Sequence, residues 1–472
     1  MLFNSAIFFG FLILVLIAYW LSPSLKLQKG ILIVASAVFY GWWDWRFLGL
    51  LLFIIVSVYS AHRLILANRA CERNSRALLY LQICIGLQLA VLAFFKYFNF
   101  FEDNVLTLLG WFGLGHSGPL LRILLPIGIS FYTFHAITLA VDTYRGNVSR
   151  RVGLADVALY ISFFPQLVAG PIVRATVFIP QLESRRAVNG QDIASALQAI
   201  ATGFLYKVGI SDTIAPFVDQ VFQHPASFSG VSLFAGALGF YSQIYFDFNG
   251  YSLIAIGVSR LFGYRLPDNF NFPYAASSLS DFWRRWHISL SSWLRDYLYI
   301  PLGGNRRGFR RQLQNLMITM LLGGLWHGAS WNFVLWGALH GGALCLEHLV
   351  LPKKGKAQLD QRLLPDISIV AGWLWTQAFV FLCWIPFRAH TFQDTMTVLT
   401  RMFTGATGSS SIPWAILIIP ILCDTFIVSR LRSSGPHILL RPEVAIPILV
   451  LAGLAVCLIA KTGLRTFIYF QF

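Results

Sequence analysis

Charge is scarce in this chain. Only 12% of the 472 residues are Asp, Glu, Lys or Arg, 57% are hydrophobic, and the mean hydropathy is +0.65. Soluble domains of this length do not carry so little charge; polytopic membrane proteins do. Carboxylates are rarer than bases, 20 against 36, which leaves a formal net charge of +16. With no soluble basic face, nucleic-acid binding is excluded. The excess reads instead as cytoplasmic loops lying against anionic membrane lipids. Cysteine occurs six times. Cys84, Cys345, Cys383, Cys423 and Cys457 sit in apolar runs as small core residues, and Cys71 sits in a loop read as cytoplasmic, so no disulfide framework is expected. His327, His340 and His348 are near neighbours in sequence. None pairs at i, i+4, HExxH is absent, and carboxylates and thiols nearby are few, so no metal site is expected. Internal repeats, low-complexity tracts and long linkers are also missing. No basic segment precedes the first apolar run and no small-residue cleavage site follows it, so that run is expected to be retained as a helix.

What the chain does have is a long series of apolar runs. They cover 6–21, 31–43, 47–66, 78–95, 119–141, 154–173, 195–210, 231–262, 316–350, 367–388, 411–428 and 443–460. At about 20 residues per crossing they predict an all-α polytopic membrane protein with about ten to twelve crossings. The runs 154–173 and 231–262 contain Pro, Gly or charge and are expected to be broken or re-entrant. Lys26 and Lys29, then Arg63, Arg69, Arg73 and Arg76, then Arg145, Arg150 and Arg151 mark alternate loops. By the positive-inside rule those loops are cytoplasmic and the N-terminus is outside. Beyond residue 174 the alternation blurs, as re-entrant segments would make it. The aromatic end, Phe467–Phe472, is expected at a membrane interface.

The run from Leu316 to Leu339 carries His327 at its middle, near where a bilayer midplane would fall. An ionisable group there costs roughly 2–3 kcal/mol or more, so it marks function more often than packing. Gly323, Gly324 and Gly328 beside it allow close approach of backbone or substrate. Trp326, Trp331 and Trp336 fit either a tunnel wall or ordinary packing. Upstream, Ser278-Leu-Ser-Asp281 fits a helix start, and Trp283, Trp286, Leu290, Trp293, Leu294 and Tyr297 recur at helical spacing. A surface-lying amphipathic helix would explain the arginines. It would not explain His287 on the apolar stripe, which a partly buried helix over 278–300 does. A neutral imidazole in a low-dielectric site can take a proton from a hydroxyl attacking a thioester. His327 is the candidate base and His287 its assistant.

Arg306, Arg307, Arg310 and Arg311 lie in the loop joining the two histidine segments, and Arg284 and Arg285 lie just before His287. Four arginines in so short a loop suit the phosphates of a nucleotide-containing donor, or simply a cytoplasmic loop. Asp247, Asn249 and Ser252 stand inside an apolar stretch, where a helix broken at Gly250 could line a cavity with Trp326 and Asn332. Phe164-Pro-Gln-Leu-Val-Ala-Gly-Pro171 reads as another broken helix. Either could be purely structural.

Seven blocks together resemble the membrane-bound O-acyltransferase (MBOAT) family, in its bacterial alginate O-acetyltransferase-like branch. They are Met1-Leu-Phe-Asn-Ser5, Leu125-Pro-Ile-Gly-Ile-Ser-Phe-Tyr132, Phe164-Pro-Gln-Leu-Val-Ala-Gly-Pro171, Tyr245-Phe-Asp-Phe248, Phe282-Trp-Arg-Arg-Trp-His-Ile-Ser-Leu290, Trp293-Leu-Arg-Asp-Tyr-Leu-Tyr299 and Gly323-Gly-Leu-Trp-His-Gly328. The resemblance covers most of the chain and weakens after about residue 390. It implies an MBOAT-like ring of tilted helices around a central tunnel, in one membrane domain over 1–472. Within it, helices over 1–150 and 351–472 would flank a catalytic core over 151–350. His327 matches the family's essential histidine and His287 its second motif histidine. Where the family commonly has an acid after its Tyr-Ser pair, Tyr251-Ser252 is followed by Leu253, so no acidic catalyst is expected there. The implied activity moves acetyl from cytoplasmic acetyl-CoA, a donor substrate with no bound cofactor, across the bacterial inner membrane. Extracytoplasmic acetyltransferase partner proteins would then acetylate a secreted exopolysaccharide, alginate or cellulose. D-alanyl transfer, peptidoglycan acylation and a non-enzymatic transporter or channel remain as alternatives.

Overall fold

The computed structural model describes residues 1–114, 121–168, 170–350, 367–405, 407–408, 412–428 and 467–468. All regular structure among them is helical. In chain order the helices are α1 (Ala6–Leu21), α2 (Leu25–Asp44), α3 (Phe47–Ala70), α4 (Asn74–Trp111), α5 (Ile129–Arg145), α6 (Leu154–Ser162), α7 (Phe164–Leu167), α8 (Ala175–Phe178) and α9 (Gly190–Phe204). They continue with α10 (Asp212–Gln223), α11 (Gly230–Leu261), α12 (Leu279–Arg285), α13 (Ile288–Leu294), α14 (Phe309–His327), α15 (Trp331–Val350), α16 (Ile367–Arg388), α17 (Phe392–Phe403) and α18 (Trp414–Leu422). Five stretches among the described residues are long and apolar enough to cross a membrane: Phe47–Ala70, Asn74–Trp111, Gly190–Gln223, Trp331–Val350 and Ile367–Arg388. The apolar run at 443–460, the loop 352–366 and the terminal residues 469–472 lie outside the described residues. Contacts divide the chain into two compact units, 1–200 with 252–267, and 201–251 with 268–472.

In the first unit, short polar side chains start helices and buried polar side chains hold them. Ser5 and Ser24 cap α1 and α2, their hydroxyls accepting from the amides of Phe8 and Leu27. Lys29 on α2 meets Asp156 on α6 at 2.5 Å. The buried His62 of α3 faces Thr143 Oγ1 of α5 at 2.7 Å, and its Nε2 accepts the Val152 amide at 3.1 Å. Arg69 donates to the carbonyls of Thr143 and Tyr144 at the end of α5, where a helix presents unpaired acceptors. The buried bonds among these pair polar groups that would be costly to leave unpaired in an apolar environment. The helix expected over 119–141 starts only at Ile129. Pro126 lacks an amide hydrogen, and Gly128 takes a left-handed turn, φ 77°, just before α5. The break expected within 154–173 is present: α6 ends at Ser162 and α7 begins at Phe164.

In the second unit, α9 passes through a π-helical turn (Leu205–Ser211) into α10. α11 is not broken at Gly250, contrary to the sequence expectation; it runs on for 32 residues. The glycine serves close approach instead, since a Cβ there would lie 2.8 Å from the Gly203 carbonyl oxygen and 2.9 Å from the Lys207 amide nitrogen. That approach brings Asp247 of α11 to Lys207 at 2.5 Å, with Asp212 at 2.7 Å from the same ammonium. The amide of Ile468 also donates to Asp247, at 2.9 Å. The run 316–350 resolves into a hairpin, α14 then α15, rather than one crossing. Its seam is made of glycine: a Cβ on Gly324 would sit 2.2 Å from the Phe333 oxygen, and one on Gly337 2.5 Å from the Met320 oxygen.

The seam yields the first prediction. Gly324→Ala must push two backbones apart and should cost about 1–3 kcal/mol, read as a lower thermal midpoint in detergent. Gly342→Ala, whose Cβ would meet nothing closer than the Met317 methyl at 4.0 Å, should not lower it. Equal losses in the two variants would refute the close-packed seam.

Candidate active site

The segment expected as one helix over 278–300 is two. Ser278 Oγ accepts the Asp281 amide at 3.1 Å and starts α12, as its sequence suggests. The carboxylate of Glu347, from α15, takes the next two free amides, Leu279 at 2.7 Å and Ser280 at 3.2 Å. α12 then stops at Arg285, and His287 adopts a left-handed backbone, φ 41°, before α13 begins. A non-glycine residue in that region is strained and persists only where its surroundings hold it. Asn269 does the holding. Its carbonyl accepts the Ile288 amide at 2.8 Å, and its side-chain oxygen accepts the Ser289 amide at 3.3 Å and the Ser289 hydroxyl at 2.9 Å.

This fixes the tautomer of His287. Because a backbone amide can only donate, the Asn269 atom facing Ser289 is oxygen. His287 Nδ1 lies 3.0 Å from that oxygen and is therefore its hydrogen-bond donor. In the neutral ring Nε2 is then the bare, basic nitrogen, and it has no hydrogen-bond partner among the described residues.

His327 is the last residue of α14 rather than a mid-helix residue, because the chain leaves the helix at Gly328, which is extended. The imidazole is buried, with ring centroids of Trp326 at 5.0 Å, Trp336 at 5.1 Å and Phe387 at 5.2 Å. Trp326 also lies 6.0 Å from the ring of His287, so one indole neighbours both histidines.

His327 opens into a cavity of about 260 Å³. Leu316, Met320, Gly323 and His327 line it along one face of α14, a distance of roughly 16 Å at 1.5 Å per residue. From α13 and the π-helical turn after it come Leu290, Leu294, Arg295 and Tyr299, and from α15 come Trp336, Leu344 and His348. The antiparallel hairpin sets Trp336 beside His327 and His348 at the opposite end. Asn315 holds the Arg-rich turn at that same distant end, donating to the Gly304 oxygen at 2.9 Å.

The sequence-derived candidates divide. His327 lines the cavity; His287 and Trp326, expected beside it, do not. Arg306 and Arg307 are exposed in the turn that follows Gly304. Arg284 and Arg285 do not line the cavity: both pair with Asp281, at 3.6 and 2.8 Å. Asp247 is held in the Lys207 cluster, Asn249 donates to the Tyr245 hydroxyl at 3.2 Å, and Asn332 donates to the Ala389 oxygen at 2.9 Å. None of these three lines this cavity. The residues that sequence reasoning missed are Arg295, Tyr299, Ser291, Thr319 and His348, all cavity-lining. A signal existed: Ser291, Arg295 and Tyr299 recur every four residues, one row of a helix.

The family model described as MBOAT, membrane-bound O-acyltransferase family, matches residues 5–375. A probable alginate O-acetylase AlgI of Azotobacter vinelandii is 40% identical over 405 residues, 86% of this chain and 78% of the relative. A peptidoglycan O-acetyltransferase of Helicobacter pylori is 35% identical over 441 residues, 87% of this chain and 81% of the relative. A teichoic acid D-alanyltransferase of Streptococcus thermophilus is 30% identical over 254 residues, 50% of this chain and 60% of the relative. The family match spans both histidines and the whole cavity, and the relatives named are transferases of acyl groups. The chain therefore belongs to the membrane-bound O-acyltransferase family and is a membrane O-acyltransferase of the alginate O-acetylase type.

Proposed function

We propose that the chain takes acetyl from cytoplasmic acetyl-CoA and passes it across the bacterial inner membrane for O-acetylation of a secreted exopolysaccharide, alginate or cellulose. The observation that carries this reading is the elongated apolar cavity with His327 at one end and an arginine-rich turn at the other. A thioester with a long arm and a phosphate-bearing head would lie along it, head at Arg295, Arg306 and Arg307 and acyl group at His327. His327 takes the proton of the acceptor hydroxyl as its oxygen attacks the thioester carbonyl. The new C–O bond forms, the C–S bond breaks, and the proton goes on to the leaving thiolate. His287, its Nδ1 hydrogen fixed by Asn269, presents a basic nitrogen close to Trp326 and assists. In this reading the helices form a ring of about ten to twelve crossings around the tunnel. Extracytoplasmic acetyltransferase partners collect the acetyl group. The second reading, acyl transfer to peptidoglycan or D-alanyl transfer to teichoic acid, draws on the Helicobacter and Streptococcus relatives and uses the same cavity. An acyltransferase family leaves the channel alternative without support.

Replacing His327 by Ala should lower acetylation of the secreted polymer by about 10²–10⁴-fold, with polymer yield and membrane level of the protein unchanged. Normal acetylation in that strain would end the catalytic assignment. Asn269→Leu removes the acceptor that sets the His287 tautomer and should slow transfer by about tenfold or more without weakening donor affinity. A pure loss of affinity would contradict that role. Arg295→Ala should raise KM for acetyl-CoA by about tenfold, and Arg284→Ala, which is not in the cavity lining, should not. If the two arginines behave alike, the donor does not run along this cavity.

A further inference from the structure

Four ring nitrogens beside the cavity have no hydrogen-bond partner among the described residues: Nε1 of Trp283, Nε1 of Trp336, and both nitrogens of His340. They form one cluster. Ring centroids are 5.6 Å apart for Trp283 and Trp336, 5.2 Å for Trp283 and His340, and 4.7 Å for Trp336 and His340. Trp336 and His340 are 1% and 0% exposed. Trp283 and Trp336 line the cavity, His340 packs against both without lining it, and Trp336 is also the ring beside His327. Buried indole and imidazole nitrogens normally find partners, and each orphan calls for an explanation. The acyl-transfer chemistry uses none of these four.

Together the four nitrogens have a definite hydrogen-bonding character. Two indoles give two donors, and a neutral imidazole adds one donor and one acceptor. Around them the cavity wall is Leu290, Leu294, Met320 and Leu344. A plain hydrocarbon would satisfy the wall and leave the nitrogens orphaned. An amide-bearing chain would satisfy both, because its carbonyl takes an indole hydrogen and its N–H meets the bare imidazole nitrogen. Amides of that kind, a few bonds from the sulfur, occur in the pantetheine arm of an acyl thioester. We propose that Trp283, Trp336 and His340 form a clamp that reads the amides of the donor's pantetheine arm. This rests on the thioester-donor reading above and deepens it. The arm is common to coenzyme A and to a phosphopantetheinylated carrier protein, so the clamp accepts either. The choice between them falls to what lies beyond the arm, at Arg295 and the Arg306–Arg307 turn.

The test is a ladder of acetyl thioesters given to membranes carrying the full-length chain and its native partners, with thiol release as the readout. Ethyl thioacetate has no amide, S-acetyl-N-acetylcysteamine has one, and S-acetylpantetheine has two. In the unaltered protein kcat/KM should rise along the ladder. Trp336→Phe keeps the ring and removes the N–H, so it should shrink the ratio between amide-bearing and amide-free donors by about 5–10-fold. Should that variant not accumulate in the membrane, Trp283→Phe carries the same expectation. A ratio that stays the same in both variants, whether or not all rates fall together, overturns the clamp and leaves the indoles as packing. If the unaltered protein releases thiol from acetyl-CoA but from none of the three, the clamp is overturned; if it releases thiol from neither acetyl-CoA nor the three, the thioester-donor reading itself fails, a result distinct from loss of the clamp alone.

Discussion

The geometry of the histidine pair depends on Asn269. A chain that crosses an apolar medium cannot leave backbone amides unpaired, so a helix inside it breaks only where another group takes over the hydrogen bonds. Between α12 and α13 that group is one asparagine, whose main chain and side chain together accept from Ile288, Ser289 and the His287 ring. Without its side chain the Ser289 amide and the His287 ring would lose their acceptor, and the tautomer of His287 would no longer be defined. One side chain thus holds a strained residue in place and fixes which of its nitrogens is basic.

The other half of the site is rigid for a different reason. α14 and α15 approach so closely that backbone meets backbone, and this is what brings His327, at the end of one helix, against Trp336, near the start of the next. Glu347 joins the halves. It belongs to the hairpin, yet its carboxylate satisfies the opening amides of α12, so the elements bearing His287 and His327 share an anchor. Asp247 plays a comparable part at α11, where a buried ammonium and a backbone amide compensate its charge.

Much of this was legible in the residues. α16 spans the run expected at 367–388, α3 begins where the run at 47–66 does, and the break at Phe163 follows from Pro165 and its neighbours. The two histidines stood out because ionisable groups in apolar sequence are rare. Other features were not legible, because they are properties of pairs of elements. Gly250 looks like a helix breaker, and only the neighbouring backbone at Gly203 and Lys207 shows it to be a contact point. Asn269 lies in an unremarkable polar stretch, and nothing local announces that it will reach His287. Arg284 and Arg285 were attractive as anion ligands because they adjoin the histidine in sequence. Asp281, three and four residues earlier, claims them both. Arg295 was passed over in the sequence, although it lines the cavity with Ser291 and Tyr299.

The glycine seam also bears on how such a cavity can diverge. No larger residue can enter between α14 and α15 without separating them, so that side of the site has almost no freedom to vary. On the opposite wall stand Leu290 and Leu294 of α13, which are not part of the hairpin. A lineage built on this scaffold can retune which acyl group it accommodates by redrawing those few apolar side chains, while the seam stays invariant.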